Sequence, residues 1–288
     1  MLFTPGNRLD MLAKAVHSGT DAVIVDLEDS VSVDSKPEAR ANLDQLPESP
    51  VPYYVRTNAV ETGLLWDDIV AAGVSPAVGV IIPKAEDPKV ISQIDGALTA
   101  LEMTQGRATG SITLIPLIES ALGVRLTYEM ARASERVECV MFGGGEQGDL
   151  VADLGVEWTP EGTGLMQARS QVLLNSRAAG VPYPMEAVFM DFRNPDGLRV
   201  ECELARTLGY IGKVAIHPAQ IEVINDVFTP SPEVVEYQRK VLAAFEEAES
   251  QGKASIAVDG KMVDYAVARV ARAILARADS AERAGRGS

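Results

Sequence analysis

The sequence contains few of the residues that build disulfide frameworks and zinc sites. Among its 288 residues are 2 cysteines, Cys139 and Cys202, and 2 histidines, His17 and His217. This small set argues against a Cys/His zinc site and against a fold held together by disulfides. Scarce cysteine is typical of proteins from a reducing compartment, so we expect a cytoplasmic location.

Basic residues and long hydrophobic runs are also scarce. Lys and Arg number 26 against 41 Asp and Glu, which gives a formal net charge of −15. Surfaces for nucleic acid or anionic membranes need an excess of Lys and Arg, so we expect neither partner. The longest nearly apolar stretch, 71–83, is shorter than the roughly 20 residues of a membrane span. The first residues lack the pattern of a secretory signal.

The sequence does contain eight short runs rich in β-branched residues, each followed by turn residues and a segment with helical spacing. Runs that are apolar throughout are typical of parallel strands covered by helices on both faces. Glycines at helix ends mark possible C-caps, at Gly19, Gly73, Gly180 and Gly209. The predicted strands are 2–4, 22–27, 53–57, 78–83, 112–118, 139–143, 187–191 and 213–217.

Eight strand–helix units over residues 1–228 predict an α/β fold of the (β/α)₈ TIM-barrel type, which typically takes about 250 residues. An open doubly wound sheet is the alternative, but its GxGxxG fingerprint after the first strand is absent. After the helix breaker TPSP, a charged helix over Glu233–Glu249, a short strand and turn, and an alanine-rich helix follow. They predict a C-terminal extension over 229–288.

Charged side chains follow most of the predicted strands, and catalytic groups of a (β/α)₈ barrel lie at these strand ends. Converging carboxylates repel each other unless they are protonated or bridged by a cation. A set of oxygen donors alone favours a hard ion, Mg²⁺ or Mn²⁺. Mg²⁺ usually binds one or two carboxylates directly, and further acids can accept hydrogen bonds from its bound waters. The charged residues at the strand ends are Arg8, Asp26, Glu28, Asp29, Arg56, Lys84, Glu119, Asp149 and Asp191.

A glycine-rich stretch, GGGEQGD, ends at Asp149. A phosphate-binding loop would continue with Lys and Ser or Thr, so we reject a nucleotide loop. Two interpretations remain: a flexible turn, or a loop that brings Asp149 to a metal while its backbone N–H groups face a substrate carboxylate. His217, which precedes a proline, is interpreted as a structural residue.

Nine ordered motifs, from Leu2 to about Ala276, resemble the citrate lyase beta-subunit-like branch of the HpcH/HpaI aldolase/citrate lyase family. The motifs are LFTPGNR, DAVIVDLEDSV with KPEAR after it, YVRTN, IIPKAE, LIPLIESALG, FGGGEQGDLVADLG, ARSQVLLNSRAAG, GKVAIHPAQIEVINDVFTPSP and VDGKMVD. The resemblance implies a barrel that assembles as a trimer, binds Mg²⁺, and cleaves or forms a carbon–carbon bond in a short acyl-coenzyme A ester.

The resemblance also implies a role for each matching residue. Glu119 and Asp149 are expected to bind the metal, and Arg56 to hold the thioester enolate. Asp264 is expected to act as an acid/base that reaches into a neighbouring subunit, as part of a lid. The remaining expectations are that Asp26, Glu28 and Asp29 support the metal through its waters and that Arg8 and Lys84 contact substrate or coenzyme A.

The chain departs from the family pattern at two places. The family more commonly reads FGAEDL where this chain reads the longer FGGGEQGDL, which leaves Glu146 as an alternative ligand to Asp149. Proline commonly stands two residues after the tail aspartate, where this chain has Ala266. Three functions stay open: a lyase for malyl-, citramalyl- or related β-hydroxyacyl-coenzyme A, a citrate lyase beta subunit acting on an acyl-carrier-protein thioester, and an inactive trimeric scaffold.

Overall fold

The computed structural model describes residues 1–159, 161–182, 184–186 and 188–285, without the side chains of residues 283 and 284. The chain divides into two compact units, Met1–Asn225 and Asp226–Ser288. Within the described ranges, no helix has both the length and the apolar composition that a membrane crossing requires.

The first unit contains a parallel sheet of six strands whose spatial order is their order in the chain. Strands β2 and β4 are buried along their whole length, as their apolar runs predict. The strands are β1 (Leu2–Pro5), β2 (Val23–Asp26), β3 (Tyr53–Arg56), β4 (Gly79–Ile82), β5 (Thr113–Ile118) and β6 (Met141–Phe142).

Two further segments connect the edge strands β6 and β1 through single parallel bridges. Met141 pairs with Met185, and Glu186 pairs with Lys213. Leu2 completes the series by pairing with Ala215. The backbone N–H of Phe142 donates to the Met185 carbonyl at 2.9 Å, and the N–H of Phe3 donates to the Ala215 carbonyl at 2.9 Å.

The prediction for the seventh strand is therefore misplaced. The sequence predicts this strand at 187–191, whereas the residues that pair are Met185 and Glu186. Ala187 lies outside the described residues. The eighth predicted run, 213–217, does include the pairing residues at 213 and 215. The prediction followed the apolar residues after Glu186, because an apolar run is typical of a buried strand. The observed bridge instead involves Glu186 itself, a charged residue that is buried.

Helices alternate with the strands of the first unit, and several begin with a side-chain cap. Asp87 caps α4, Ser120 caps α5 and Asn194 caps α8, each by accepting a backbone N–H bond of the first turn. The helices are α1 (Leu9–Ala15), α2 (Lys36–Ala41), α3 (Leu65–Val74), α4 (Pro88–Thr104), α5 (Ala121–Arg132), α6 (Asp149–Leu154), α7 (Met166–Ala178), α8 (Pro195–Leu208) and α9 (Ile221–Phe228).

Gly73 does not cap a helix, contrary to the sequence prediction. It lies inside α3, where an added Cβ would come within 2.5 Å of the Leu101 side chain on α4. The glycine is therefore required by the close approach of two helices. Gly209 fits its prediction, since it follows α8 in the left-handed conformation.

The second unit consists of two helices and a hairpin. A turn at Asp259 and Gly260 joins the two strands, and both residues have positive φ angles (48° and 76°). This Asp-Gly pair is a typical two-residue hairpin turn. The elements are α10 (Pro232–Ser250), β7 (Ser255–Val258), β8 (Lys261–Asp264) and α11 (Tyr265–Gly285). Their shared core is Val241, Phe245, Val258, Val263, Ala268 and Ala271.

Candidate active site

The register of the sheet brings an acid and a base together at the carboxyl ends of neighbouring strands. Asp26, the last residue of β2, pairs with Arg56, the last residue of β3. Arg56 Nε and Nη2 donate to the two Asp26 carboxylate oxygens, both at 2.7 Å. The guanidinium also lies over the Phe3 ring, 4.5 Å from its centroid. Arg56 is thus held in one orientation by a two-point ion pair and an aromatic face.

The segment after β2 folds back onto Asp26. The backbone N–H groups of Glu28 and Ser30 donate to the Asp26 carboxylate at 3.0 and 3.1 Å. Burial alone would raise the pKa of Asp26, but Arg56 and these bonds outweigh it and lower that pKa. Lys36 Nζ donates to the carbonyl of Glu28 at 2.8 Å and fixes the segment from the other side.

Glu28 lies between the two cations of the site. Its Oε2 is 3.0 Å from Arg56 Nη1, and its Oε1 accepts from Lys84 Nζ at 3.1 Å. The contact with Arg56 lacks hydrogen-bond geometry, so Glu28 Oε2 is buried with no hydrogen bond. Burial and the nearby charge of Asp29 raise the pKa of Glu28 despite both cations. Glu28 is therefore a carboxylate that an additional cation would stabilise.

Lys84 connects three acids from different parts of the chain. Besides its bond to Glu28, its Nζ lies 3.2 Å from Asp149 Oδ2. Its backbone N–H donates to Glu119 Oε2 at 3.0 Å. Lys84 follows Pro83 in the left-handed region, with φ 48°, a conformation that costs a non-glycine residue on the order of 1 kcal/mol.

Glu119 follows β5 at the centre of this group. Burial, together with the charge of Glu28, raises the pKa of Glu119 to about 7. Gly143, which follows β6, packs against it so closely that an added Cβ would lie 2.4 Å from Glu119 Cγ. Glycine at this position leaves the space that the Glu119 side chain occupies.

Asp149 begins α6 and has a more open environment than the other acids. Its side chain is 52% exposed and forms an ion pair with Lys84. Glu146 also lines the cavity beside the site, but the ion pair to the cluster is made by Asp149. The cavity is about 660 Å³, and its lining contains apolar side chains as well as the charged residues Asp26, Asp29, Arg56, Glu119, Glu146 and Asp149.

Two predicted residues have partners of their own. Arg8 is half exposed and makes a two-point ion pair with Asp10, with a shortest distance of 2.8 Å. Asp264 belongs to the second unit, where its Oδ1 accepts from the backbone N–H groups of Ala266 and Val267. In this arrangement Asp264 caps α11.

The sequence analysis missed three residues that shape the site. Phe3 supports Arg56, Gly143 makes room for Glu119, and Lys36 fixes the segment after β2. Each lies in a quoted motif, LFTPGNR, FGGGEQGD or KPEAR. Phe3 could have been found by strand alternation, since it lies two residues before the end of β1.

The arrangement has an excess of negative charge beside a cavity. Three carboxylates, those of Asp26, Glu28 and Asp149, form ion pairs with two cations, and a fourth, that of Glu119, accepts from the backbone N–H of Lys84. Among the described residues, no three or more His, Cys, Asp or Glu converge on one point as a complete metal site. An ion held here would bind one or two carboxylates and complete its coordination with water and substrate oxygens, which is how Mg²⁺ commonly binds.

Known proteins resemble the chain over nearly its whole length. The citrate lyase subunit beta of Haemophilus influenzae is 34% identical over 287 residues, 97% of this chain and 96% of that protein. The L-malyl-CoA/beta-methylmalyl-CoA lyase of Rhodobacter capsulatus is 32% identical, over 98% of this chain and 94% of that protein. A crystal structure of the protein CitE from Mycobacterium tuberculosis, in complex with magnesium, acetoacetate and coenzyme A, matches with TM-score 0.75 and 32% identity, over 96% of this chain and 97% of that one.

These relatives and the shared fold define the class: the chain is an enzyme, a carbon–carbon lyase of the oxo-acid lyase type. Residues 1–218 match the HpcH/HpaI aldolase/citrate lyase family, and the chain belongs to that family.

Proposed function

We propose that this protein is a Mg²⁺-dependent lyase that cleaves or forms a short β-hydroxyacyl-coenzyme A ester such as malyl-CoA or citramalyl-CoA, with acetyl-CoA and a keto acid on the other side. The observation that carries the proposal is the acid-rich cluster around Glu119, beside a cavity at the carboxyl ends of parallel strands. The names of the relatives, a malyl-CoA lyase among them, support the substrate class.

The fold in this proposal is a closed (β/α)₈ barrel. The six strands supply most of the wall, and the bridges at Met185, Glu186, Lys213 and Ala215 are the contacts that would close it. Barrel enzymes carry their active sites at the carboxyl ends of the strands. The cavity has this position, since Asp26 and Arg56 both end strands that border it.

Glu119 and Asp149 are the proposed ligands of Mg²⁺. Both supply carboxylate oxygens, and burial together with the charge of Glu28 raises the pKa of Glu119 to about 7 despite the nearby cations. When bound, the ion would supply a Lewis acid for the oxygens of the keto-acid half of the substrate. Glu28 and Asp29 would accept hydrogen bonds from the waters of the ion.

In the cleavage direction the substrate hydroxyl loses its proton, the carbon–carbon bond breaks, and its electron pair moves to the acetyl fragment as an enolate. Protonation of that fragment at carbon completes acetyl-CoA. Arg56 is the proposed cation for the enolate oxygen: Asp26 accepts from Nε and Nη2, and the Nη1 donors face the rest of the cluster. Asp264 is the proposed acid/base for the proton.

Asp264 would reach the site from a neighbouring subunit of a trimer, with the C-terminal extension as a lid. In support of an assembly, α3 carries exposed apolar side chains at four-residue spacing, at Trp66, Val70 and Val74. Asp264 also caps α11, so a substitution that tests its acid/base role must preserve the cap. Asparagine caps a helix as well as aspartate does but cannot exchange the proton.

A mixing experiment tests the shared site. Inactive Asp264→Asn and inactive Glu119→Gln proteins, unfolded and refolded together, should regain part of the activity because some sites pair an intact Glu119 with an intact Asp264. Native mass spectrometry would verify that mixed trimers form. Mixed trimers without activity would show that the proton is handled within one subunit.

The function itself is tested with a panel of coenzyme A thioesters at saturating Mg²⁺, by quantifying acetyl-CoA, keto acid and free coenzyme A. We expect acetyl-CoA and keto acid in equal amounts. Free coenzyme A without acetyl-CoA would mean hydrolysis. Turnover of a citryl-acyl-carrier protein alone would favour a citrate lyase beta subunit, and no turnover of any thioester would favour a scaffold.

A further inference from the structure

Lys84 makes contacts in the cluster that go beyond the role expected from the sequence, a contact to substrate or coenzyme A. Its ammonium lies between Glu28 and Asp149, at 3.1 and 3.2 Å, while its backbone N–H donates to Glu119. The residue holds a strained left-handed conformation in order to do so, with φ 48°. Backbone strain at a residue with three specific contacts is typical of a functional position.

The ammonium supplies half of the positive charge in the cluster. Removing it would leave four carboxylates against the single charge of Arg56. A divalent ion and an ammonium that share a carboxylate repel each other, because both carry positive charge at short range. Lys84 therefore opposes the binding of the ion that the carboxylates attract.

The two side-chain partners of Lys84 differ in how firmly they are held. Glu28 is buried, with 5% of its side chain exposed, and Arg56 holds it from the other side. Asp149 is 52% exposed at the start of a six-residue helix. Asp149 is thus the partner that can turn from the ammonium to an incoming ion, while Glu28 retains Lys84.

We infer that Lys84 is a positioning residue that shares Asp149 with the divalent cation and thereby sets how tightly the cation is held. The inference rests on the proposed function, because it takes Glu119 and Asp149 as the metal ligands. Holding Asp149 before the ion arrives keeps the loop in place, and the shared charge keeps the ion exchangeable between turnovers.

The test is a calorimetric titration of Mg²⁺ into the metal-free, full-length protein. Lys84→Met removes the ammonium and keeps the backbone N–H, and we expect it to bind Mg²⁺ at least about tenfold more tightly than the parent. Lys84→Arg keeps the charge and should stay within about threefold. Lys89→Met, which removes an exposed lysine five residues away, controls for net charge and should change the affinity less than twofold.

The outcomes separate this inference from the proposed function. Unchanged or weaker Mg²⁺ binding in Lys84→Met, with binding intact in the parent, would overturn the role of Lys84 and leave the metal site standing. Absence of Mg²⁺ binding in the parent would overturn both. Thermal unfolding in the presence of chelator shows whether Lys84→Met is folded. If it is not, Lys84→Gln, whose side chain is closer to lysine in polarity, replaces it, and the same change in Mg²⁺ affinity is expected.

Discussion

Two of the clusters of charged side chains in the first unit differ in charge balance and in access to a cavity. The cavity cluster, defined by Asp26, Glu28, Arg56, Lys84, Glu119 and Asp149, has more acids than bases and borders the cavity. The wall cluster, defined by Arg169, Glu186, Glu201 and Lys213, has two of each, all at most 4% exposed.

The wall cluster connects the segments that join β6 to β1 with the helices outside them. Arg169 on α7 lies 2.9 Å from Glu186, and Glu201 on α8 lies 3.3 Å from Lys213. Buried opposite charges in equal number neutralise each other, so they can fix a structure but provide no excess charge to bind an ion. The cavity cluster has an acid excess that the described residues do not neutralise, and this difference separates a structural network from a candidate active site.

The largest expected effect is on turnover, from the cavity cluster. Glu119→Gln should lower kcat by at least about 1,000-fold, because loss of a metal ligand removes several kcal/mol of charge stabilisation in the transition state. The fold should survive, since a Gln side chain can still accept the bond from the Lys84 N–H. Release of acetyl-CoA measures the effect, with circular dichroism as the control. Undiminished turnover in Glu119→Gln would contradict the assignment.

A substitution in the wall cluster should act on stability instead. Arg169→Met leaves Glu186 and Glu201 buried without this cation, and breaking such a network costs about 3–5 kcal/mol of unfolding free energy. The kcat of the folded protein should change little. Denaturant unfolding measures the loss, and Arg206→Met, at an exposed position on α8, serves as the matched control. If Arg169→Met kept its stability but lost turnover, the claim that the wall cluster has a structural role and no catalytic role would be contradicted.

Arg56→Lys keeps the charge of the cavity cluster but not its geometry. An ammonium cannot bind both Asp26 oxygens and an enolate oxygen as a planar guanidinium can. We expect a loss of about 2–4 kcal/mol, expressed mainly in kcat. Steady-state kinetics distinguishes this from a rise in KM alone, which would assign Arg56 to ground-state binding.

The smallest effect is a gain of stability in the metal-free protein. Folding raises the pKa of Glu119 to about 7, so the folded state of the parent protein loses stability as pH rises from about 4.5 to 7. Glu119→Gln lacks this penalty, so we expect its free energy of unfolding at pH 8 to exceed that of the parent by up to about 3 kcal/mol. The difference should vanish near pH 4.5. A constant difference across this range in chelator would show that Glu119 ionises normally.

The sequence was most informative about the cavity cluster, because parallel strands align their ends. Once the strands were placed, Asp26, Arg56 and Glu119 had to lie at one edge of the sheet. Spacing alone could not reveal that Lys84 turns its ammonium toward Asp149, because that contact depends on a left-handed residue and on the path of a glycine-rich loop.

The wall cluster could not have been predicted. Arg169 and Lys213 are of residue types that are almost always exposed, and their burial depends on partners far away in the sequence. For the same reason the seventh strand was misplaced, since Glu186 reads as a surface residue when its partners are unknown. His217 fits its structural interpretation: its ring caps the turn that follows it and stacks on Phe192.

The most direct test of the central claim is a calorimetric titration of Mg²⁺ into three metal-free proteins: the parent and one variant in each cluster. The parent protein and the wall variant Glu201→Gln, confirmed to be folded, should bind about one Mg²⁺ per chain, whereas Glu119→Gln should lose that binding. Equal Mg²⁺ affinity in Glu119→Gln and the parent protein, or loss of binding in Glu201→Gln alone, would contradict the claim that the acid excess beside the cavity is the metal site.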